Sequence, residues 1–166
     1  MKNLFLGILA ATMLFSGVNV YAAKDKKEQI KAQKMRSESA ESMHWYSNLN
    51  AAMQQAQNDK LPILLLATGS DWCPPCMKLE KEIFSKKEFY KAAAGKVVLV
   101  KADFPRQRPQ SSEERQQAEA IAKRFKIEAF PTVLLLSSDG KVLDKQVGYR
   151  NSSPKKYLKS FKGFNK

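Results

Sequence analysis

Histidine and cysteine are scarce in this chain of 166 residues, which holds His44, Cys73, Cys76 and no others of either type. A structural zinc site closes with four ligands, and two thiols with one distant imidazole do not supply them, so no metal is expected. Covalent haem attachment needs a histidine directly after the second cysteine, where this chain has Met77. One bridge uses both thiols, so none remains to staple the fold elsewhere. Acidic residues are also few, 16 against 29 Lys and Arg, for a formal net charge of +13. A basic balance raises the question of nucleic acid or an anionic membrane surface. Much of the charge, however, falls in Lys24–Arg36 and in the C-terminal tail, without an aromatic-interleaved stripe or a nucleic-acid motif. It is read as solvated charge, with no nucleic-acid partner. The apolar run Leu4–Phe15 is twelve residues long, against about 20 needed to cross a bilayer.

That run has the marks of a secretory signal. Lys2 gives a positive start, Leu4–Phe15 an apolar centre and Val20-Tyr21-Ala22 a small-residue cleavage site. Residues 1–22 are expected to be removed after Ala22, placing the protein in the periplasm or outside the cell, where disulfides persist. No cysteine stands at that site, which excludes a lipoprotein. The remaining 144 residues carry a charge of about +12 and allow one domain with a full core. Residues 23–44 are expected to form a charged, flexible linker, because they offer too little apolar surface to order themselves. Residues 45–166 are expected to form the domain, as a monomer.

Within it, Leu49, Ala52, Met53 and Ala56 recur at helical spacing. Leu61–Ala67 is a continuous apolar run, as in a strand covered on both faces. A helix is expected from Cys73, with Cys76, Leu79 and Ile83 facing inward. Ser85 with Glu88, and Ser111 with Glu114, carry the capping-box spacing, the first opening a helix that stops at Gly95. Val97–Val100 is the next buried strand, ending at Asp103, and Pro105–Ser111 is a polar loop. Ala118, Ile121, Ala122 and Phe125 give the following helix its stripe. Two strands, Pro131–Leu136 and Val142–Val147, flank the turn signal Ser137-Ser138-Asp139-Gly140. Ser153-Pro154 predicts a last helix with Tyr157, Leu158, Phe161 and Phe164 on its apolar face. The class is α/β, a central mixed sheet flanked by helices on both faces. No internal repeat appears.

The chemistry centres on Trp72-Cys73-Pro74-Pro75-Cys76, directly after an apolar strand. A thiol at a helix start meets unpaired N–H groups and the positive end of the macrodipole, which favour thiolate. The second thiol, three residues on, is close enough to close a disulfide with the first. Cys73 is therefore expected to be the exposed attacking thiolate, and Cys76 the deeper thiol that resolves the mixed disulfide. An inert bridge is the plain alternative, yet closing so short a loop removes little unfolded-state entropy. Pro75 stands where a histidine would add positive charge, and Pro74 and Pro75 together lean the pair toward a reductant. Far along the chain, Phe130-Pro131-Thr132 opens a buried strand with a proline, which cannot donate to the ladder.

These motifs carry a resemblance to the thioredoxin fold. It runs from about Trp45 to the end and includes Gly69-Ser70-Asp71-Trp72-Cys73-Pro74-Pro75-Cys76, Asp103-Phe104-Pro105, Phe130-Pro131-Thr132 and Asp139-Gly140-Lys141 with Val147-Gly148-Tyr149. The pattern is similar to exported thioredoxin-like proteins and to the C-terminal periplasmic domain of the membrane thiol:disulfide interchange reductase. The resemblance implies a thiol:disulfide oxidoreductase with no cofactor beyond its redox-active disulfide, and a cis Pro131 packed beside that disulfide. It also implies protein thiols and disulfides as substrates, and a membrane-embedded thiol donor for electrons. Trp72, Pro74, Pro75, Phe130 and Pro131 would contact substrate, although Phe130 also reads as a core residue. Glu80, one turn after Cys76, would assist proton transfer in the related reductase domain; a solvent-facing Glu80 is the alternative. One departure is Ala67, where thioredoxins carry a buried acid, which leaves Glu80 or water to accept the Cys76 proton. Asp71 is expected to cap or to face solvent. The other functional readings are a thiol oxidase or isomerase, and a binding module that holds peptides without turnover.

Overall fold

The computed structural model describes residues 43–164, together with residues 26, 28–31 and 34. The chain divides into two units between Met35 and Arg36. Of the first, the described residues are helical and exposed. The expected signal segment and most of the expected linker lie outside the described residues.

The second unit is built on a five-stranded sheet in the order β1-β3-β2-β4-β5. Its strands are β1 (Trp45–Tyr46), β2 (Ile63–Thr68), β3 (Val98–Asp103), β4 (Thr132–Leu136) and β5 (Val142–Val147). The first three run parallel, while β4 is antiparallel to β2 and β5 to β4. Every residue of β2 is buried, as the unbroken apolar run requires of a strand covered on both faces.

Alternation along the strands divides the core in two. Leu64, Leu66, Leu99, Val133 and Leu135 point to one face. There they meet α2 (Pro74–Leu79), α3 (Lys87–Ala93) and the C-terminal residues Tyr157, Leu158 and Phe161. Ile63, Leu65, Ala67, Val100, Ala102 and Leu134 point to the other. That face is covered by Leu49, Ala52 and Ala56 of α1 (Leu49–Asp59) and by Ala118 and Ile121 of α4 (Ser112–Phe125). Asn48 caps α1, and the Ser111–Glu114 capping box forms in full.

Two local expectations are corrected. The active-site helix continues past Leu79 as a π turn over Glu80–Phe84, closed by Ser85 N–H to the Glu80 carbonyl at 2.8 Å. The wider turn lets the consecutive residues Ile83 and Phe84 both reach the core. It also carries Ser85 along, so its hydroxyl donates to the Lys81 carbonyl at 3.0 Å and Lys86, not Ser85, stands at the N-cap of α3. At the C-terminus, Ser153-Pro154 opens a turn followed by a 3-10 helix over Tyr157–Ser160 rather than an α-helix. Leu158, Phe161 and Phe164 recur every third residue, the period of a 3-10 turn, and all three pack on the core.

Candidate active site

Cys73 leaves β2 through Gly69–Trp72 and occupies the N-cap of α2 in extended conformation. Pro74 and Pro75 fill the first two helical positions, where a missing N–H costs little. Cys76 and Met77 both donate their N–H to the Cys73 carbonyl, each at 3.0 Å. Of the first four helical positions, Pro74 and Pro75 thus lack the hydrogen and Cys76 and Met77 have spent theirs, so none offers a donor to an anion at this helix end. Cys73 and Cys76 are joined as a disulfide with Cα atoms 5.2 Å apart. Joined in this way, Cys73 is 4% exposed and Cys76 2%. In the oxidised pair the Cys73 sulfur is turned into the first helical turn to meet its partner, whereas Pro74 and Pro75 stay exposed.

Trp72 is fixed from several sides. Its indole Nε1 donates to the Phe104 carbonyl at 2.7 Å, and its ring meets Phe130 edge-on, centroids 5.9 Å apart. Phe104 packs on Phe130 in turn, at 5.0 Å. The Arg106 guanidinium lies over the Trp72 ring, 3.7 Å from its centroid. Gly69 makes room for all of this, since a Cβ there would stand 2.5–2.8 Å from three indole atoms.

Asp71 acts as a cap, and what it caps is the loop after β3. Its carboxylate accepts the backbone N–H of Arg106, Gln107 and Arg108 at 2.9, 2.8 and 3.0 Å. Those bonds, the Arg106 N–H foremost, hold the carboxyl below its ordinary pKa of 3.8. Below it, buried Asp103 accepts the Ser70 N–H at 3.1 Å and pairs with the Arg108 guanidinium. Sequence reasoning missed Gly69, Asp103, Arg106 and Arg108. The signal was weak: an acid two residues before the first cysteine and a Pro-Arg-Gln-Arg-Pro loop more than thirty residues on.

Phe130 and Pro131 lie at the start of β4, and their peptide bond is cis. Thr132 pairs with Ala67, so the antiparallel register sets Pro131 opposite Thr68, the last residue of β2, from which the cysteine loop departs. Pro131 is buried, and its carbonyl accepts the Gly148 N–H at 2.8 Å. Phe130 is half-buried, and its own N–H and C=O have no partner among the described residues. Trp72 and Phe130 thus join the cysteine segment to the proline segment.

Glu80, the first residue of the π turn, pairs with Lys101 of β3, Nζ to Oε2 3.2 Å. Lys101 also lies 5.0 Å from the centroid of the Trp45 ring. Both partners of the pair are partly exposed, so Glu80 is neither free in solvent nor buried. Ala67 belongs to the opposite face of the sheet, packed with Leu65 and Ala102.

Residues 49–162 match the family model described as a thioredoxin-like domain. The chain belongs to this family. It is 38% identical over 100 residues to the thioredoxin-related protein DsbJ of Chlamydia pneumoniae, a match covering 60% of this chain and 29% of that protein. To the disulfide bond reductase DsbH of the same organism it is 29% identical over 141 residues, covering 85% of this chain and 84% of the relative. A solved structure described as DsbH oxidoreductase superposes with a TM-score of 0.64 at 28% identity, covering 71% of this chain and 81% of that one. The chain thus spans less than a third of DsbJ but most of DsbH. Membership places the Cys73–Cys76 disulfide in a thioredoxin-like, redox-active setting.

Proposed function

We propose that the protein is an exported thiol:disulfide oxidoreductase that reduces disulfides in other proteins. The observation that carries this reading is the Cys73–Cys76 disulfide at the start of α2, reached from Phe130-Pro131 through the Trp72–Phe130 contact. In the reduced protein the Cys73 thiolate attacks one sulfur of a client disulfide, forming a mixed disulfide and expelling one client thiolate. The Cys76 thiolate then attacks the Cys73 sulfur, closing the Cys73–Cys76 bond and releasing the second client thiolate. Two electrons pass to the client, and the Cys76 proton leaves to Glu80 or to water. A client segment in extended form pairs with the unpaired N–H and C=O of Phe130, in the manner of an added strand. Trp72, Pro74, Pro75 and Pro131 line its path. Electrons return from a membrane-embedded thiol donor, because the N-terminal signal pattern sends the protein out of the cytosol; the name of the relative DsbH, a disulfide bond reductase, supports the reduction of disulfides.

Insulin reduction driven by dithiothreitol tests the reading: wild type accelerates it and Cys73→Ser does not, whereas equal behaviour of the two overturns it. The apolar surface of Trp72, Phe104 and Phe130 favours a second reading, a peptide-binding module without turnover. Trapping separates them. Cys76→Ser accumulates mixed disulfides with clients if chemistry occurs, while a pure binder retains the same partners in Cys73→Ser.

A further inference from the structure

We propose that Arg106 is a specificity residue, whose guanidinium, laid on Trp72, receives a carboxylate of the client chain near the disulfide under attack. This rests on the oxidoreductase reading given above. The loop after β3 carries two arginines, and they are used differently. Arg108 is committed to buried Asp103 and to the Ser70 hydroxyl at 3.4 Å. Arg106 is exposed, and its side-chain N–H groups have no hydrogen-bond or carboxylate partner among the described residues.

Its position is nonetheless fixed. The backbone of Arg106 is tied to Asp71 at 2.9 Å, and the guanidinium lies 3.7 Å from the Trp72 centroid. Stacking on an aromatic face uses the flat side of the guanidinium and leaves its rim of N–H donors free for bidentate pairing with a carboxylate. Asp71 and the ring hold the arginine in place beforehand, so little side-chain freedom is lost on binding. Arg106, Trp72 and Phe130 form one line of contacts beside Cys73. A client strand paired at Phe130 therefore passes a preset, unpaired cation.

The test uses the pre-reduced full chain and two peptides with one internal disulfide, identical except for two Glu or two Gln beside the attacked cysteine. Stopped-flow rate constants are compared at about 20 mM and about 500 mM salt. The Glu peptide reacts about 5-fold faster at low salt, in keeping with one partly exposed charge pair. That ratio falls toward one at high salt and in Arg106→Gln. It persists in Lys159→Gln, which removes an exposed charge on the C-terminal 3-10 helix. Equal wild-type rates, a ratio unchanged in Arg106→Gln, or a ratio lost as fully in Lys159→Gln overturns the proposal, the last assigning the preference to overall charge. Reduction of neither peptide is a different failure: it removes the oxidoreductase reading itself, and the role of Arg106 with it.

Discussion

Replacing Gly69 by alanine adds one methyl group where the Trp72 ring already lies. The added carbon would stand 2.5–2.8 Å from three indole atoms, closer than a Cβ tolerates, so the ring must move. Gly69 is not among the glycines with positive φ, so the backbone itself accepts alanine and the steric effect stands alone. A displaced indole loses its bond to the Phe104 carbonyl, worth about 1 kcal/mol. It also loses its edge contact with Phe130, worth about 1 kcal/mol, and the Arg106 contact, worth about 0.5 kcal/mol at an exposed site. A destabilisation of about 2–3 kcal/mol is expected in urea unfolding. The cause is isolated by a double-mutant cycle: in a Trp72→Ala background, Gly69→Ala becomes neutral or stabilising by about 0.5 kcal/mol, since it only restricts the unfolded chain. An equal cost in both backgrounds would refute the argument, because the penalty would then owe nothing to Trp72.

Three further outcomes are expected. Pro75→His places a titratable cation at the second helical position and raises the reduction potential, measured against glutathione, by at least about 30 mV, a tenfold change in equilibrium constant; an unchanged potential contradicts the role given to that proline. Glu80→Gln slows release of a trapped client mixed disulfide by about 10-fold, a modest general-base contribution, while leaving the initial Cys73 attack within twofold; equal slowing of both steps argues against proton transfer at Glu80. Asp71 has a folded pKa lowered from 3.8, so its hold on the loop is complete above the ordinary value and lost as pH falls through the lower folded one. The amide signals of Arg106, Gln107 and Arg108 should therefore shift with a midpoint below 3.8, and a midpoint at or above it would detach them from Asp71.

The parts of the fold that could be read from the chain are those set by short-range pattern. The run Leu61–Ala67 is apolar without a break because both faces of β2 are covered, and the period of α1 and α4 follows from a single buried stripe. Ser85 and Glu88 have the spacing of a capping box yet do not form one, because the π turn upstream shifts the chain by one residue, and tertiary packing of Ile83 and Phe84 decides that shift. At the site, Cys73, Cys76 and Pro131 were visible because their chemistry is rare at those spacings. The loop anchor was not. Asp71 and the three N–H groups it holds are 35 to 37 residues apart in the chain, and nothing local in either segment announces the other. The sequence around Glu80 is silent for the same reason, since its partner Lys101 sits on β3, 21 residues away.

The proposed reducing direction makes a prediction about what the helix end can offer a thiolate. A strongly oxidising member of the wider group lies near −120 mV and thioredoxin near −270 mV, a gap of about 7 kcal/mol for two electrons. Closing that gap requires heavy stabilisation of the reduced, thiolate form. A helix N-terminus contributes on the order of 1 kcal/mol, largely through its free N–H groups. Here the first two helical positions are prolines without N–H, and the N–H of Cys76 is already given to the Cys73 carbonyl. Arg106 is parked on Trp72, and Arg108 is neutralised by Asp103. Each of these acts in the same direction, toward the disulfide over the reduced pair, as the proposed reductase requires. A potential at or below about −200 mV is therefore expected on equilibration with glutathione. A value above about −150 mV would show that stabilisation reaches the thiolate from some group other than this helix end, and would make the protein an oxidase.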